Sequence, residues 1–426
     1  MSLLKQLTTG ALAHDLIAFD SGGVRMRSER TGRFARRLFY KFPSLFVRNL
    51  PLSKLLMGGE HRRTAANYAR LTGDLLRPST PVERSPHAEF LRDYREFGDD
   101  LLRPERFALT RYWRNAQKCI ELLGQYFSAT AIDGVLERAA AFAHASKDGH
   151  ATFCGAGGTA LGMPVRVSRI SYSDCFEVVD GNHRLALASA QGAESYPCAI
   201  LPVDPAVTPV QQMVMDSSWT NEQCLLYQPL DLPEVESWTT VRRCTDRMAL
   251  IEAFLEQHGP STGSYLDIGC SYGWFVNRMA RRGYDAVGID RDVSAMAVGR
   301  LVYGLDPSAF MTDDLANFLD RSNRQYDIVS CFSVLHHYAL GKGQMPAAEF
   351  IRKLDSLTGS VLFLDTGEGH ERWFKDSLKE WNAEFIARWL RENTTFGSVK
   401  MLGTDQDGQG RYQGQYGRHL FACYRS

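Results

Sequence analysis

The sequence predicts an α/β protein in two parts: an α+β unit over residues 85–203, and over residues 245–426 a doubly wound parallel sheet with an antiparallel hairpin at one edge. Three observations lead there. From about Thr245 onward short apolar runs alternate with helical-period stretches, the pattern of parallel strands covered by helices on both faces. The last two apolar runs, SVKML and RHLFACY, have no helix between them and read as an antiparallel pair. Upstream, two helical stretches precede three strand-like runs, as in a mixed unit with its own core.

In the second part the order is helix Asp246–His258, strand SYLDIG, helix Trp274–Arg282, strand DAVGID, helix Val293–Tyr303 and strand YDIVSCF, then helix Ala347–Leu354, strand SVLFLD, helix Leu378–Arg391 and the closing pair. In the first part, helices over Tyr112–Phe127 and Ile132–Ser146 lead to the strands PVRVSRI and CFEVVD. The turn Gly181-Asn182, a helix Arg184–Gln191 and the strand YPCAILPV follow. Residues 204–244 hold Pro205, Pro209, Pro229 and Pro233 with few periodic runs, which suits a linker. Residues 1–84 form a basic N-terminal segment of their own.

Composition excludes several classes. The 49 Lys+Arg balance 49 Asp+Glu, so no net field draws the whole molecule to nucleic acid. The nine cysteines are scattered, without a Cys-x-x-Cys pair, which argues against a disulfide framework or a structural zinc; no metal ligand set is assigned. No apolar run reaches the ~18 residues of a spanning helix, and the N-terminus lacks the order of a signal peptide, so a cytoplasmic protein is expected. Local charge is another matter. Between Val24 and Lys54 nine bases face the single acid Glu29 and are interleaved with Phe34, Leu38, Phe39, Phe42, Leu45 and Phe46. Residues 24–54 read either as an interfacial segment on the anionic inner face of the membrane, as a nucleic-acid arm, or as a solvated helix packed on the protein body.

Chemistry concentrates at two strand-to-helix junctions. In LDIGCSYGWF, Gly269 and Gly273 let the backbone turn tightly and approach a ligand closely. Asp290 closes the next strand, where a carboxylate accepts the two hydroxyls of a ribose. The pair fits a nucleoside, and a doubly wound fold binding another nucleotide is the alternative. A full Gly-x-Gly-x-x-Gly and a Walker lysine are missing, so pyrophosphate and triphosphate cradling are not indicated.

Over about the last 180 residues these motifs, with VGID, MTDDL and YDIVSCFSVLHHY in the same order, resemble the class I S-adenosylmethionine-dependent methyltransferases, whose fold is Rossmann-like. The resemblance implies S-adenosylmethionine as cofactor. It assigns Asp267, Gly269 and Gly273 to the methionine part, Asp290 to the ribose and Asp313 or Asp314 to the adenine amino group, with Phe332 also beside the cofactor and Arg247 a candidate for the methionine carboxylate. The loop Ser333–Tyr338 after the fourth strand should line the acceptor side, where His337 or His336 removes a proton from a hydroxyl or positions an acceptor that is already anionic. The polar stretch 365–373 contains Glu368 and His370, which bind acceptor or cap the next helix. This loop and acidic strand end are similar to the methyltransferase part of bacterial enzymes that cap O-antigen chains with a methyl phosphate.

The second junction is EVVDGNHRLA. Asp180, Asn182, His183 and Arg184 stand at a helix N-terminus whose free N–H groups suit a phosphate or nucleotide, with Asp180 and His183 the candidate catalytic pair. The plain alternative is an Asp-Gly turn with a structural Arg–Asp pair. DGNHRLALASAQG followed by a strand resembles the ParB/sulfiredoxin-like superfamily, which implies nucleotide binding and, in some members, small-molecule kinase activity. Asn182 stands where sulfiredoxins carry their reactive cysteine, so sulfenic-acid chemistry is not implied.

The expectation is therefore a methyltransferase joined to a phosphate- or nucleotide-binding unit. In its strongest form the first unit uses ATP or another nucleotide with Mg²⁺ to phosphorylate a glycan or alcohol, and the second methylates that phosphate. The rivals are a biosynthetic O- or N-methyltransferase acting on a small molecule, with a recognition unit, and a nucleic-acid-binding regulator or RNA modifier.

Overall fold

The computed structural model describes residues 35, 37–39, 41–57, 80–147, 164–217 and 224–425. The chain divides into two compact units, one drawn from residues 1–212 and 232–237, the other from 213–231 and 238–426. The stretch 204–244, expected as a linker, is thus shared between them, and it contains a helix and two short strands of its own.

The first unit is built on a mixed five-stranded sheet of β1 (Val47–Pro51), β2 (Leu55–Leu56), β3 (Val165–Arg169), β4 (Phe176–Asp180) and β5 (Ser195–Ile200), in the order β1-β5-β3-β4-β2. The end of the basic segment is therefore an edge strand: β1 pairs antiparallel with β5, setting Arg48 opposite Cys198. Val165, Val167, Val178 and Cys198 bury one sheet face with Leu185 of the helix Asn182–Ala190. Ala186 and Leu187 of that helix pack with Phe90, Tyr112 and Phe142 from the helices Pro86–Phe97, Arg111–Leu123 and Ile132–Lys147. Local signals set the helix ends. Ser85 caps the first of these helices by accepting from Ala88 N at 3.2 Å, and Gly124, at φ +79°, stops the helix that the sequence extends to Phe127.

The second unit has a seven-stranded sheet: β8 (Ser264–Ile268), β9 (Asp285–Asp290), β10 (Phe310–Thr312), β11 (Tyr326–Phe332), β12 (Thr358–Asp365), β13 (Ser398–Thr404) and β14 (His419–Tyr424). The short β6 (Leu225–Leu226) and β7 (Thr239–Thr240) pair separately. The order is β10-β9-β8-β11-β12-β14-β13, parallel except for β14, which runs antiparallel to both neighbours. Alternation along each strand splits the core: Tyr265, Ile328, Val361, Phe363, Leu420 and Ala422 face the helices Thr245–His258 and Trp274–Arg281, while Leu266, Val329, Leu362, Leu364, Phe421 and Cys423 face Ala347–Leu357 and Ala383–Asn393. The last of these helices starts at Ala383, not Leu378, because Asn382 Oδ1 takes the Phe385 N–H at 2.9 Å and fixes the N-cap there. Among the described residues, no helix is long and apolar enough to cross a membrane.

Candidate functional site

The carboxyl ends of β8 and β9 make the first half of the site. Gly269 and Gly273 adopt φ +76° and +75°, a region that costs side-chain-bearing residues dearly. The turn they frame hangs from β9, with Gly269 N and Cys270 N both donating to Ile289 O. The helix Val293–Tyr303 closes on it so tightly that a Cβ on Gly299 would lie 1.8 Å from the Tyr272 carbonyl oxygen. Asp290 is locked to the same turn: Ser271 N donates to one carboxylate oxygen at 2.8 Å and Asp292 N to the other at 3.0 Å. Both oxygens keep lone pairs, so the carboxylate is oriented before any hydroxyl arrives.

Asp267 lies at the end of β8 and is 2% exposed. Ser330 donates its hydroxyl to Oδ1 at 2.6 Å, whereas Oδ2 is buried without a hydrogen-bond partner. Burial pushes this carboxyl up to about 7, against the opposing pull of the Ser330 hydrogen bond and the Arg247 charge. A buried carboxylate oxygen with no donor suits an ammonium group, and the positive-φ turn and the prepared Asp290 beside it fit the rest of an amino-acid nucleoside.

The remaining expected cofactor residues are placed less directly. Asp314 caps the helix Leu315–Arg321 through Ala316 N at 2.9 Å, while Asp313 pairs with Arg321 and follows the end of β10 beside Asp290. Phe332 packs in the core against Phe275, ring centroids 4.6 Å apart. Arg247 lies over this ring pair, its Cζ 5.2 Å and 5.3 Å from the two centroids, and spends one Nη on Asp365 at 2.8 Å and the other on Cys244 Sγ.

The second half of the site holds a buried ionic network. At the end of β12, Asp365 accepts from Arg242 at 2.9 Å, Arg247 at 2.8 Å and Ser333 N at 2.8 Å. Arg242 also pairs with Asp405. Arg418 forks onto Glu371 with bonds of 2.7 and 2.8 Å, and both Arg242 and Arg418 donate to Ser333 Oγ. Ser333 sits at φ +61°, held there by these contacts. Asp405 is carried by a reciprocal clip in which Asp246 accepts from Gln406 N and Asp407 N, while Asp407 accepts from Thr245 N and Asp246 N. Glu368 is likewise buried, gripped by His419 through its backbone N–H and Nδ1, with His370 Nδ1 at 3.5 Å. The polar stretch 365–373 thus anchors the C-terminal strand.

The histidine pair divides its work. His336 is buried, and Nδ1 accepts from Gly367 N at 3.2 Å, which leaves the proton of the neutral ring on Nε2. Burial, with Arg418 adding like charge, lowers it to about 2. It is a fixed neutral donor. His337 is exposed; partial desolvation of the ring, with Lys342, Arg291 and Arg418 adding like charge, lowers its proton affinity as well.

In the first unit, Asp180 is half exposed and bridges Arg166 at 3.3 Å and Arg184 at 3.4 Å. Gly181, at φ +114°, opens the helix, and Asn182 takes its first position. His183 turns inward: it bonds Tyr112 Oη at 2.8 Å and packs against His87 and Phe142. Asp180 and Arg184 are therefore brought together at the surface turn, and His183 joins the aromatic core.

The glycine turn, the acidic strand end and the reversal of strand order at β8 define the class: an α/β sheet that binds its ligand across the carboxyl ends of the central strands. Within that class, residues 241–395 match the family described as "Methyltransferase domain". The C-terminal part of the chain is a class I S-adenosylmethionine methyltransferase domain. The ubiquinone biosynthesis O-methyltransferase of Acinetobacter baumannii (strain AYE) is 36% identical over 135 residues, covering 30% of this chain and 53% of that protein. The mitochondrial ubiquinone biosynthesis O-methyltransferase of Arabidopsis thaliana is 27% identical over 162 residues, 35% of this chain and 48% of that one. The chain thus spans about half the length of the curated relatives it matches. Among solved structures, the bifunctional kinase-methyltransferase WbdD is 18% identical with a TM-score of 0.40, covering 50% of this chain and 46% of that one.

Sequence reading missed Arg242, Asp405, Arg418 and His419. Their partners lie 47 to 163 residues away along the chain, so no local motif announces them.

Proposed function

We propose that the chain transfers a methyl group from S-adenosylmethionine to an oxygen of a small-molecule or glycan acceptor. The observation that carries this is the partnerless buried Oδ2 of Asp267 beside the positive-φ turn and the preoriented Asp290. The cofactor supplies an electrophilic methyl on a sulfonium. The protein's contribution is orientation: Asp267 meets the ammonium, Asp290 the ribose hydroxyls, and the Ser333–Tyr338 loop the acceptor. The C–S bond breaks as the O–C bond forms, and the electron pair leaves with the sulfur. A hydroxyl acceptor gives its proton to His337, neutral near pH 7; an acceptor already anionic needs no base and is drawn by Arg291 and Lys342, both exposed near His337.

In the fuller form of this reading the first unit is a ParB/sulfiredoxin-like domain. It binds a phosphate or nucleotide at the Asp180–Arg184 turn and phosphorylates a glycan or alcohol whose phosphate the second unit then methylates. Arg166 and Arg184, which here pair with the half-exposed Asp180, are the guanidiniums that would meet an anion there. The test is transfer of labelled methyl into an envelope and metabolite extract with and without ATP and Mg²⁺. Product that needs ATP and gains a phosphate is expected, and Asp180→Asn should abolish it while leaving S-adenosylmethionine binding intact. Equal labelling without ATP contradicts the coupled reaction. It would favour the second reading, a small-molecule O-methyltransferase with a recognition unit, which the resemblance to ubiquinone O-methyltransferases supports.

A further inference from the structure

The basic segment ends in a turn that the methyl-transfer reading does not use. Phe39 is 4% exposed and packs edge-on against Phe46 at 5.3 Å, so one side of the segment is anchored. Its other side is open: Phe42 is 47% exposed and Leu45 38%. Pro43 starts a 3-10 turn over Pro43–Phe46 that presents these two side chains at a stiff tip, and β1 begins immediately after it.

Exposed bases flank the turn in sequence. Arg37, Lys41 and Arg48 are exposed. Lys41 Nζ stands 5.6 Å from the Phe42 ring, and Arg48 donates to its neighbour's carbonyl, Val47 O, at 2.8 Å. Arg169, on β3, has its proton affinity lowered by burial and by the nearby Arg48 charge, so like charges crowd here. Lys54 differs, being tied to Asp174 and Glu236. In the sequence the bases Arg25, Arg27, Arg30, Arg33 and Arg36 precede this turn; they lie outside the described residues, as does Phe34.

We propose that the turn at residues 41–48 is a docking surface for an anionic lipid bilayer, with Phe42 and Leu45 entering the headgroup boundary and Arg37, Lys41 and Arg48 facing the lipid phosphates. Phe39 is buried while Phe42 and Leu45 stay exposed, so the fold uses only part of the segment's apolar surface, and Arg37, Lys41 and Arg48 are exposed in the same stretch. Apolar insertion and electrostatic attraction reinforce each other on an anionic leaflet, and neither alone binds firmly. A single-stranded nucleic acid matches the bases but gives no role to Leu45, since stacking needs aromatic faces.

The experiment is co-sedimentation of the full chain with vesicles of phosphatidylcholine, alone or with about 30 mol% phosphatidylglycerol, an anionic lipid. Binding is expected on the anionic vesicles and not on the neutral ones. Lys41→Gln and Arg37→Gln should each weaken it about fivefold, the effect of one charge at such a surface. Phe42→Ser with Leu45→Ser should weaken it by about tenfold or more, through lost apolar insertion. All four positions are exposed, and unchanged thermal unfolding and S-adenosylmethionine binding confirm the fold of each variant. If the double serine variant misfolds, the two charge variants decide alone. Failure to bind anionic vesicles, equal binding to neutral ones, or insensitivity to the charge variants overturns the proposal. So does loss of binding in the charge variants with none in the folded serine variant, which would mark a polyanion site and direct the search to nucleic acid. None of these outcomes bears on methyl transfer to a soluble acceptor, so the two readings fail separately.

Discussion

Asp365→Ala should destabilise the C-terminal unit by about 3–5 kcal/mol, the usual consequence of stripping the counter-charge from buried cations. Asp365 is 0% exposed and takes hydrogen bonds from Arg242, Arg247 and Ser333 N. Burial alone would push its carboxyl up; Arg242, Arg247 and Arg418 outweigh burial and hold it well below the ordinary range. Its removal leaves two buried guanidiniums short of charge, releases Ser333 from its positive φ and loosens the acceptor loop. Asp365→Asn keeps an acceptor for one of them and should fall between wild type and alanine. The pH dependence follows from the sign of the shift. A carboxyl depressed in the folded state contributes stability that is complete above its unfolded value, near pH 4, and is lost as the pH falls toward the folded one. Urea unfolding of the full chain, following the transition of the C-terminal unit at neutral pH, measures this; a loss below about 1 kcal/mol would mean the network contributes little.

Asp267 should behave in the opposite way. Its carboxyl is raised to about 7, so between about pH 4 and 7 the folded, ligand-free protein holds a proton that the unfolded chain does not, and stability falls as the pH rises through that window. An ammonium ligand needs the ionised form. Binding of S-adenosylmethionine should therefore tighten by about tenfold per unit as the pH rises toward 7, then level off, with uptake of ligand releasing a proton below that point. Asp267→Asn should flatten the profile and weaken binding at about pH 8 by about 10–100-fold, the range for losing one charged hydrogen bond. Calorimetric titrations in two buffers of different ionisation enthalpy read both quantities. An affinity independent of pH from about 5.5 to 8 would show that some other group meets the ammonium.

How much of this was legible in the sequence depends on the range of the interaction. Apolar runs marked most strands of the large sheet, as with YDIVSCF and β11, because a parallel strand covered on both faces is apolar almost throughout; the three-residue β10 was missed, its MTDDL end being read as a loop. The glycine turn was legible because Gly269 and Gly273 are needed where φ is positive, and Asp290 because it closes the neighbouring strand. The helix beginning at Ala383 was misplaced because a cap at Asn382 outweighed an apolar pattern that runs through Leu378. The ionic network was invisible: Arg242 and Asp405 are separated by 163 residues, and nothing local distinguishes a buried arginine from a surface one. His183 illustrates the converse error of range. Its motif suggests a surface phosphate site, yet Tyr112, 71 residues earlier, draws the ring into the core. The basic segment was ambiguous for the same reason, since amphipathic spacing cannot say which side is covered; the burial of Phe39 beside the exposed Phe42 shows that one side is.

The central claim, that the turn between β8 and the following helix with Asp290 forms the cofactor site, is tested most directly by equilibrium binding of S-adenosylmethionine to the full chain and to its Asp290→Ala variant. Saturable binding by the wild type is predicted, with the variant, still folded by circular dichroism, weakened by at least about 100-fold through loss of charged hydrogen bonds to two hydroxyls. A wild-type chain that fails to bind, or a folded Asp290→Ala variant that binds equally well, would contradict it.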